Sequence, residues 1–153
     1  MSEATVRAQI KSTLSGVSGI GTVHDYERTS RSPATYLELM RPGGESGSLV
    51  NGWTIRRRST MSQRSSTNVL IRRTHRFEIN GIYGPVDDDA ASERTFQALL
   101  ESIWAAFKSD YTVGGTCENS GQIQIEDVDF LEFHETLYHV AALSIECVER
   151  ATA

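Results

Sequence analysis

Apolar residues near the amino terminus recur at helical spacing, Val6, Ile10 and Leu14, with Val17 continuing the series. The spacing predicts a short amphipathic helix, with Ser2 as its cap and Gly16 as its stop. After the GVSGIG turn, TVHDYERT reads as an edge-like strand. ATYLELM alternates Tyr36 and Glu38 against Leu37 and Leu39 and reads as another. RPGGESGS (41–48) breaks the chain with glycine and proline and is expected to be a mobile loop that orders only against a partner. Asn51-Gly52, between Leu49-Val50 and Trp53-Thr54-Ile55, is the strongest short turn signal in the chain.

A long hairpin is predicted next. Trp53 and Ile55 alternate with Thr54, while Val69, Ile71, Phe77 and Ile79 share one side of a second strand and Arg72, Thr74 and Arg76 share the other. Between Arg56 and Asn68 only Met61 is strongly apolar, so the hairpin tip has nothing with which to enter a core. Six or so residues per strand would project roughly 20 Å. The tip therefore reads as a protruding β-arm. Asn80-Gly81 is a second turn signal, but its flanks are too short to pair well, and a bulge or strand end is expected there.

The clearest element follows GPVDDD. Phe96, Leu99, Leu100, Ile103, Trp104 and Phe107 form one apolar stripe of a helix, which Asp88 or Asp89 is expected to cap. QIQIEDVDF is a strand whose alternation slips by one residue near Glu126 and Asp127, which predicts a bulge. ETLYHVAALSIECVER places His139, Ala141, Leu143, Ile145 and Cys147 on one face of a central, buried strand. The order of elements predicts a single α+β domain over residues 1–153. It has an antiparallel β-sheet, two amphipathic helices on one face and a long protruding β-hairpin.

Composition narrows the class. At 153 residues the chain is long enough to bury a core without metal or disulfide support. No apolar run approaches the about 20 residues of a membrane span, and the first residues lack the apolar core of a secretory signal, so assembly in the cytoplasm is expected. Cys117 and Cys147 stand thirty residues apart and are expected to be reduced, with Cys147 packed. His24, His75, His134 and His139 make no zinc signature, and neither glycine-rich stretch matches a dinucleotide or phosphate-loop motif. No nucleophile elbow occurs. His75 and His139 read as polar residues near the sheet face, and Asp87-Asp88-Asp89 as helix-capping residues. No active site, cofactor or metal is expected, and the chain reads as a non-enzyme.

The charge is segregated. Arg56, Arg57, Arg58, Arg64, Arg72, Arg73 and Arg76 lie in residues 55–77 with no acid among them, inside a chain of net charge −5. From Glu118 onward eight acids face Arg150 alone. A solvated charged face is the plain reading of such a run, but like charges at this density repel unless a partner or salt intervenes. Nucleic acid is one such partner, although the arm lacks the interleaved aromatics of a single-strand binder and the domain lacks a basic pI. The other is a second copy of the chain: a basic arm meeting an acidic carboxyl-terminal third is a head-to-tail contact, which builds a ring if the rotation closes. Candidate interface residues are Arg56, Arg57, Arg58, Arg64, Arg72 and Arg73 on one side. Glu126, Asp127, Asp129, Glu132 and Glu135 are their counterparts.

The segments GIGTVHDYER, RTHRFEINGIYGPVDDDAASERTFQALLESIWAAF and YHVAALSIECVER, in this order, resemble the tail-terminator (tail-completion) proteins of tailed bacteriophages. The similarity runs from about Val6 to Arg150. It implies a small α+β virion subunit that forms a ring, usually of six, caps the finished tail tube, stops its polymerisation and offers a docking face to the head-side connector or stopper. Genome DNA would pass through such a ring without sequence-specific binding. The family has no catalytic residues to carry over. A head-completion or other neck protein is the alternative in the same class, and a DNA-binding module using the arginine-rich hairpin is the alternative in another.

Overall fold

A computed structural model describes residues 2–26, 32–41, 49–87 and 90–152. It is an α+β fold with three helices, α1 (Glu3–Ser15), α2 (Pro33–Leu39) and α3 (Ala91–Phe107). They accompany a mixed, strongly curled six-stranded sheet in the form of a half-barrel. The strands are β1 (Thr22–His24), β2 (Val50–Arg64), β3 (Leu70–Gly84), β4 (Asn119–Ser120), β5 (Gln124–Phe133) and β6 (Thr136–Thr152). Their order is β1-β2-β3-β6, with β4 and β5 both pairing with the far side of β6.

Residues of α1 and α3 share one core with one face of the sheet. Val6, Ile10 and Leu14 from α1 and Phe96, Leu99, Leu100, Ile103 and Phe107 from α3 join Trp53, Ile55, Phe77, Ile79, Leu143 and Ile145. Ser2 caps α1 by accepting from the Thr5 amide, and Gly16 ends it, as the sequence implied. Trp104 departs from the expected stripe: it sits at the edge of the core, partly exposed, with the Lys108 ammonium 5.4 Å from its ring. Asp88 and Asp89 lie outside the described residues. Asp87 instead binds the start of α3, its carboxylate accepting from the Ser92 amide and hydroxyl.

Three expectations are corrected. ATYLELM is helical, not extended: Pro33 presets the first turn, and Leu37 and Met40, three apart, are both buried on one side of α2. A run of four alternating residues is too short to outweigh that pair. The correction carries through to topology, because α2 lies on the connection from β1 to β2, and that connection makes the two strands parallel. The sheet is therefore mixed. Asn51-Gly52 is not a turn but lies inside β2. Asn51 donates to the Gly19 carbonyl and accepts from the Trp53 indole, and a Cβ on Gly52 would fall 2.5 Å from the Met40 side chain. Asn80-Gly81 is likewise neither a bulge nor a strand end. Gly81 pairs with Trp53 in an unbroken ladder, where a Cβ would stand 2.3 Å from the indole ring. The bulge in this strand pair occurs instead at Arg58, between Arg57 and Ser59.

Other expectations match. β5 shifts register between Ile125 and Asp127, which leaves Glu126 as the extra residue, and β6 runs long and largely buried between β3 and β5. Cys117 and Cys147 are free and buried, and burial pushes both thiols up. The RPGGESGS loop, apart from Arg41, lies outside the described residues.

Candidate assembly surface

The arginine-rich hairpin is built from the outer halves of β2 and β3, joined through Ser65–Val69. Ser65 closes the turn by accepting from the Leu70 amide. The hairpin does not stand alone, because β6 pairs with β3 as far as Leu70 opposite Thr152. The projection is three strands wide, and its inner flank is lined by β6.

That third strand changes the electrostatics. Arg58 lies 3.2 Å and Arg56 3.6 Å from Glu78. Arg72 pairs with Glu118, which also holds Arg150. Arg73 and Arg76 pair with Glu149 and Glu126 at 3.3 Å. The sequence has no acid within residues 55–77, yet Glu78, two strands and a turn supply four carboxylates to five of the seven arginines. Cross-strand pairing was the missing information. Among the described residues, Arg57 and Arg64 have no ion pair, and both are exposed.

A buried polar chain underlies the base of the arm. His75 is fully buried, with one ring nitrogen 2.7 Å from Glu149 and the other 2.9 Å from the Thr60 hydroxyl. The order hydroxyl, imidazole, carboxylate is that of an activated nucleophile. Here both imidazole nitrogens are already engaged and the ring has no access to solvent, so the chain acts as a strut across β2, β3 and β6. Sequence reasoning placed His75 at the sheet face but could not find Thr60 or Glu149, which lie fifteen and seventy-four residues away.

The acidic side is different. β5 is exposed on both faces over nearly its whole length. Val128, Phe130 and Leu131 are 40%, 48% and 44% exposed. Asp127, Asp129, Glu132 and Glu135 form no ion pair among the described residues, and only Glu126 is tied back, to Arg76 and the Ser144 hydroxyl. His134 and Glu135 both have positive φ, 51° and 64°, in the two-residue turn into β6, a geometry of type I′ hairpins that favours Asn and Gly. The candidate acids thus fall on one strand and its turn. Of the candidate arginines, Arg56, Arg57, Arg58 and Arg64 fall on β2 at the far side of the sheet, with β3 and β6 between it and β5, and Arg72 and Arg73 fall on β3.

Behind β5, His139 stacks on Phe96, lies 5.2 Å from the Phe130 ring and bonds the Ser92 hydroxyl at 2.9 Å. Burial lowers its pKa, against the smaller opposing pull of Glu93 and Asp87. On the sheet face away from α1 and α3, a groove of about 280 Å³ lies between α2 and the strands, with Tyr36, Met40, Thr54 and Asn80 on its walls and Asp127 and Leu131 at β5. Among the described residues no group of three or more His, Cys, Asp or Glu side chains is placed to hold a metal. Comparison of the chain with protein-family models and with curated proteins finds no match.

Proposed function

We propose that the protein is a structural virion subunit of a tailed phage. It forms a ring, of six copies by the resemblance, that caps the tail tube, ends its polymerisation and offers a docking surface to the head-side connector. The observation that carries this reading is the separation of unpaired charge: exposed Arg57 and Arg64 on the β2 side, exposed Asp127, Asp129 and Glu132 on the β5 side. Complementary charges that two strands keep apart within one chain can meet between two chains, and a contact between different surfaces repeats head to tail and builds a ring when the rotation closes. The resemblance of the three quoted segments to tail terminators supports the same role. Intrachain pairing of Arg56, Arg58, Arg72, Arg73 and Arg76 weakens the DNA-binding alternative, because those charges are already engaged.

Sedimentation velocity at low and high salt, with and without a short duplex, tests the reading. A ring-sized species that dissociates with salt and ignores DNA is expected. A monomer that moves with duplex at low salt would overturn it and leave the phosphate-binding alternative standing. Addition of the protein to growing tail tubes tests the capping role: tube length should stop increasing once the protein is present.

A further inference from the structure

The sheet has two open edges of opposite charge. β1 pairs with β2 only as far as His24 opposite Thr54, so among the described residues the outer edge of β2 is unpaired from Ile55 to Arg64. On the other side, among the described residues β5 pairs only with β6. The free stretch of β2 matches β5 in length, which is 10 residues. It carries Arg56, Arg57, Arg58 and Arg64 and no acid, whereas β5 carries Glu126, Asp127, Asp129 and Glu132 and no Lys or Arg.

We infer that β5 of one copy adds as an antiparallel strand to the Ile55–Arg64 edge of the next, so that the subunit sheets join into one sheet running through the assembly. This rests on the ring reading above and gives it a backbone interface. A long exposed edge strand bearing Val128, Phe130 and Leu131 is a template for strand addition, and soluble proteins ordinarily cover or interrupt such an edge. Charge chooses the partner. β5 against β5 or β2 against β2 would bring strands of like charge together, which is unfavourable, and only β5 against β2 joins strands of unlike charge.

The geometry fits closure. Three successive antiparallel pairings, β2 with β3, β3 with β6 and β6 with β5, leave β5 antiparallel to β2. Seating Ser59 opposite Asp129 of the neighbour keeps each strand's helix-side residues opposite helix-side residues, Thr60 facing Val128. It also allows for the extra residue on each strand, Arg58 and Glu126. Within one chain Val128 is level with Ala141, Gly81 and Trp53. In the joined sheet it would instead meet Thr60, six strand steps further on when the bulged Arg58 is discounted. At about 3.3 Å per residue that offset is about 20 Å, across four strand spacings of about 4.8 Å each. The resulting strand tilt is about 45°, at the upper end of the range in closed barrels.

Cysteine trapping tests the pairing. Ser59→Cys and Asp129→Cys are exposed single substitutions, and circular dichroism of each should match the parent. Oxidation of their equimolar mixture should give the mixed disulfide dimer as the main covalent product. A chain carrying both should give a ladder of covalent multimers. A second pair, Met61→Cys with Asp127→Cys, should behave alike. Ser59→Cys with Ser102→Cys, on the exposed side of α3, should not cross-link. Rings in sedimentation velocity without cross-links at either pair would overturn the strand addition while leaving the ring reading intact. Homodimers of Ser59→Cys in excess of the mixed dimer would overturn head-to-tail pairing. A monomer at every concentration, without cross-links, would overturn both.

Discussion

The two edges of the sheet carry similar numbers of charges and differ in how those charges are spent. On the arm, Glu78 holds Arg56 and Arg58 of the β2 edge, and Glu118, Glu149 and Glu126 hold Arg72, Arg73 and Arg76 of the neighbouring β3. Such pairs fix side-chain positions more than they add stability, since exposed ion pairs contribute at most about 1 kcal/mol each. On the β5 side, Asp127, Asp129 and Glu132 have no partner of this kind among the described residues, and apolar Val128, Phe130 and Leu131 stand exposed beside them. The arginine run is the louder signal in the sequence, yet β5 is the edge left more open. A partner would be held by β5 and positioned by the few unpaired charges of the arm.

The sharpest contrast should appear in stability. Glu149→Ala removes the buried partner of His75 and Arg73, and leaving a buried ring nitrogen without its hydrogen bond costs about 1–3 kcal/mol. Glu132→Ala on the open edge should change the unfolding free energy by no more than about 0.5 kcal/mol, as surface substitutions usually do. Urea denaturation of both variants checks this, and equal effects would remove the distinction between a braced and an open edge.

Assembly should respond the other way round. Phe130→Ser with Leu131→Ser should weaken self-association by about tenfold or more, since about 1.4 kcal/mol of lost apolar contact is enough for that factor. Glu149→Gln, which keeps the shape of the buried chain, should leave association nearly unchanged wherever the fold is retained. Sedimentation equilibrium at matched fractions of folded protein separates the two effects.

A smaller effect is expected with pH. Burial depresses the folded-state pKa of His139 below its ordinary value of 6.5. Below pH 6.5 the unfolded chain takes up a proton that the folded chain resists, so stability present at neutral pH declines as pH falls from 6.5 towards the depressed folded value. His139→Gln should flatten the decline between pH 7 and 5 in urea titrations. Because His139 lies against Phe130, the wild-type loss should include loosening of β5. The smallest effect should come from Arg58→Gln, an exposed partner of Glu78, with a stability change within about 0.5 kcal/mol in the same assay.

Periodicity served where elements were long. The stripe of α3, the buried face of β6 and the slip at Glu126 were all legible, because each is written over ten residues or more or breaks a clear alternation. It failed at α2, where seven residues are too few to separate two periods, and that error concealed the parallel pairing of β1 with β2. Turn chemistry failed at Asn51-Gly52 and Asn80-Gly81 for another reason. Both glycines serve close approach, of Met40 and of Trp53, and a dipeptide cannot reveal what packs on it. The interface candidates were legible as charge but not as pairing. Arg73 and Glu149 are seventy-six residues apart in sequence and adjacent across β3 and β6, so only the register showed which arginines were already engaged.

If unlike edges join copies, exchanging the charges of the two edges should redirect assembly, and two charge-reversed variants show whether it does. One variant carries Arg57→Glu, Arg58→Glu and Arg64→Glu, which leaves Arg56 against three acids on its β2 edge and makes both of its edges acidic. The other carries Asp127→Lys, Asp129→Lys and Glu132→Lys, which leaves Glu126 against three lysines on β5 and makes both basic. Mass photometry of each alone at low salt should find monomers, whereas their equimolar mixture should form rings in which the two variants alternate. Rings from either variant alone, or monomers in the mixture of two folded variants, would mean that the edges do not join by unlike charge.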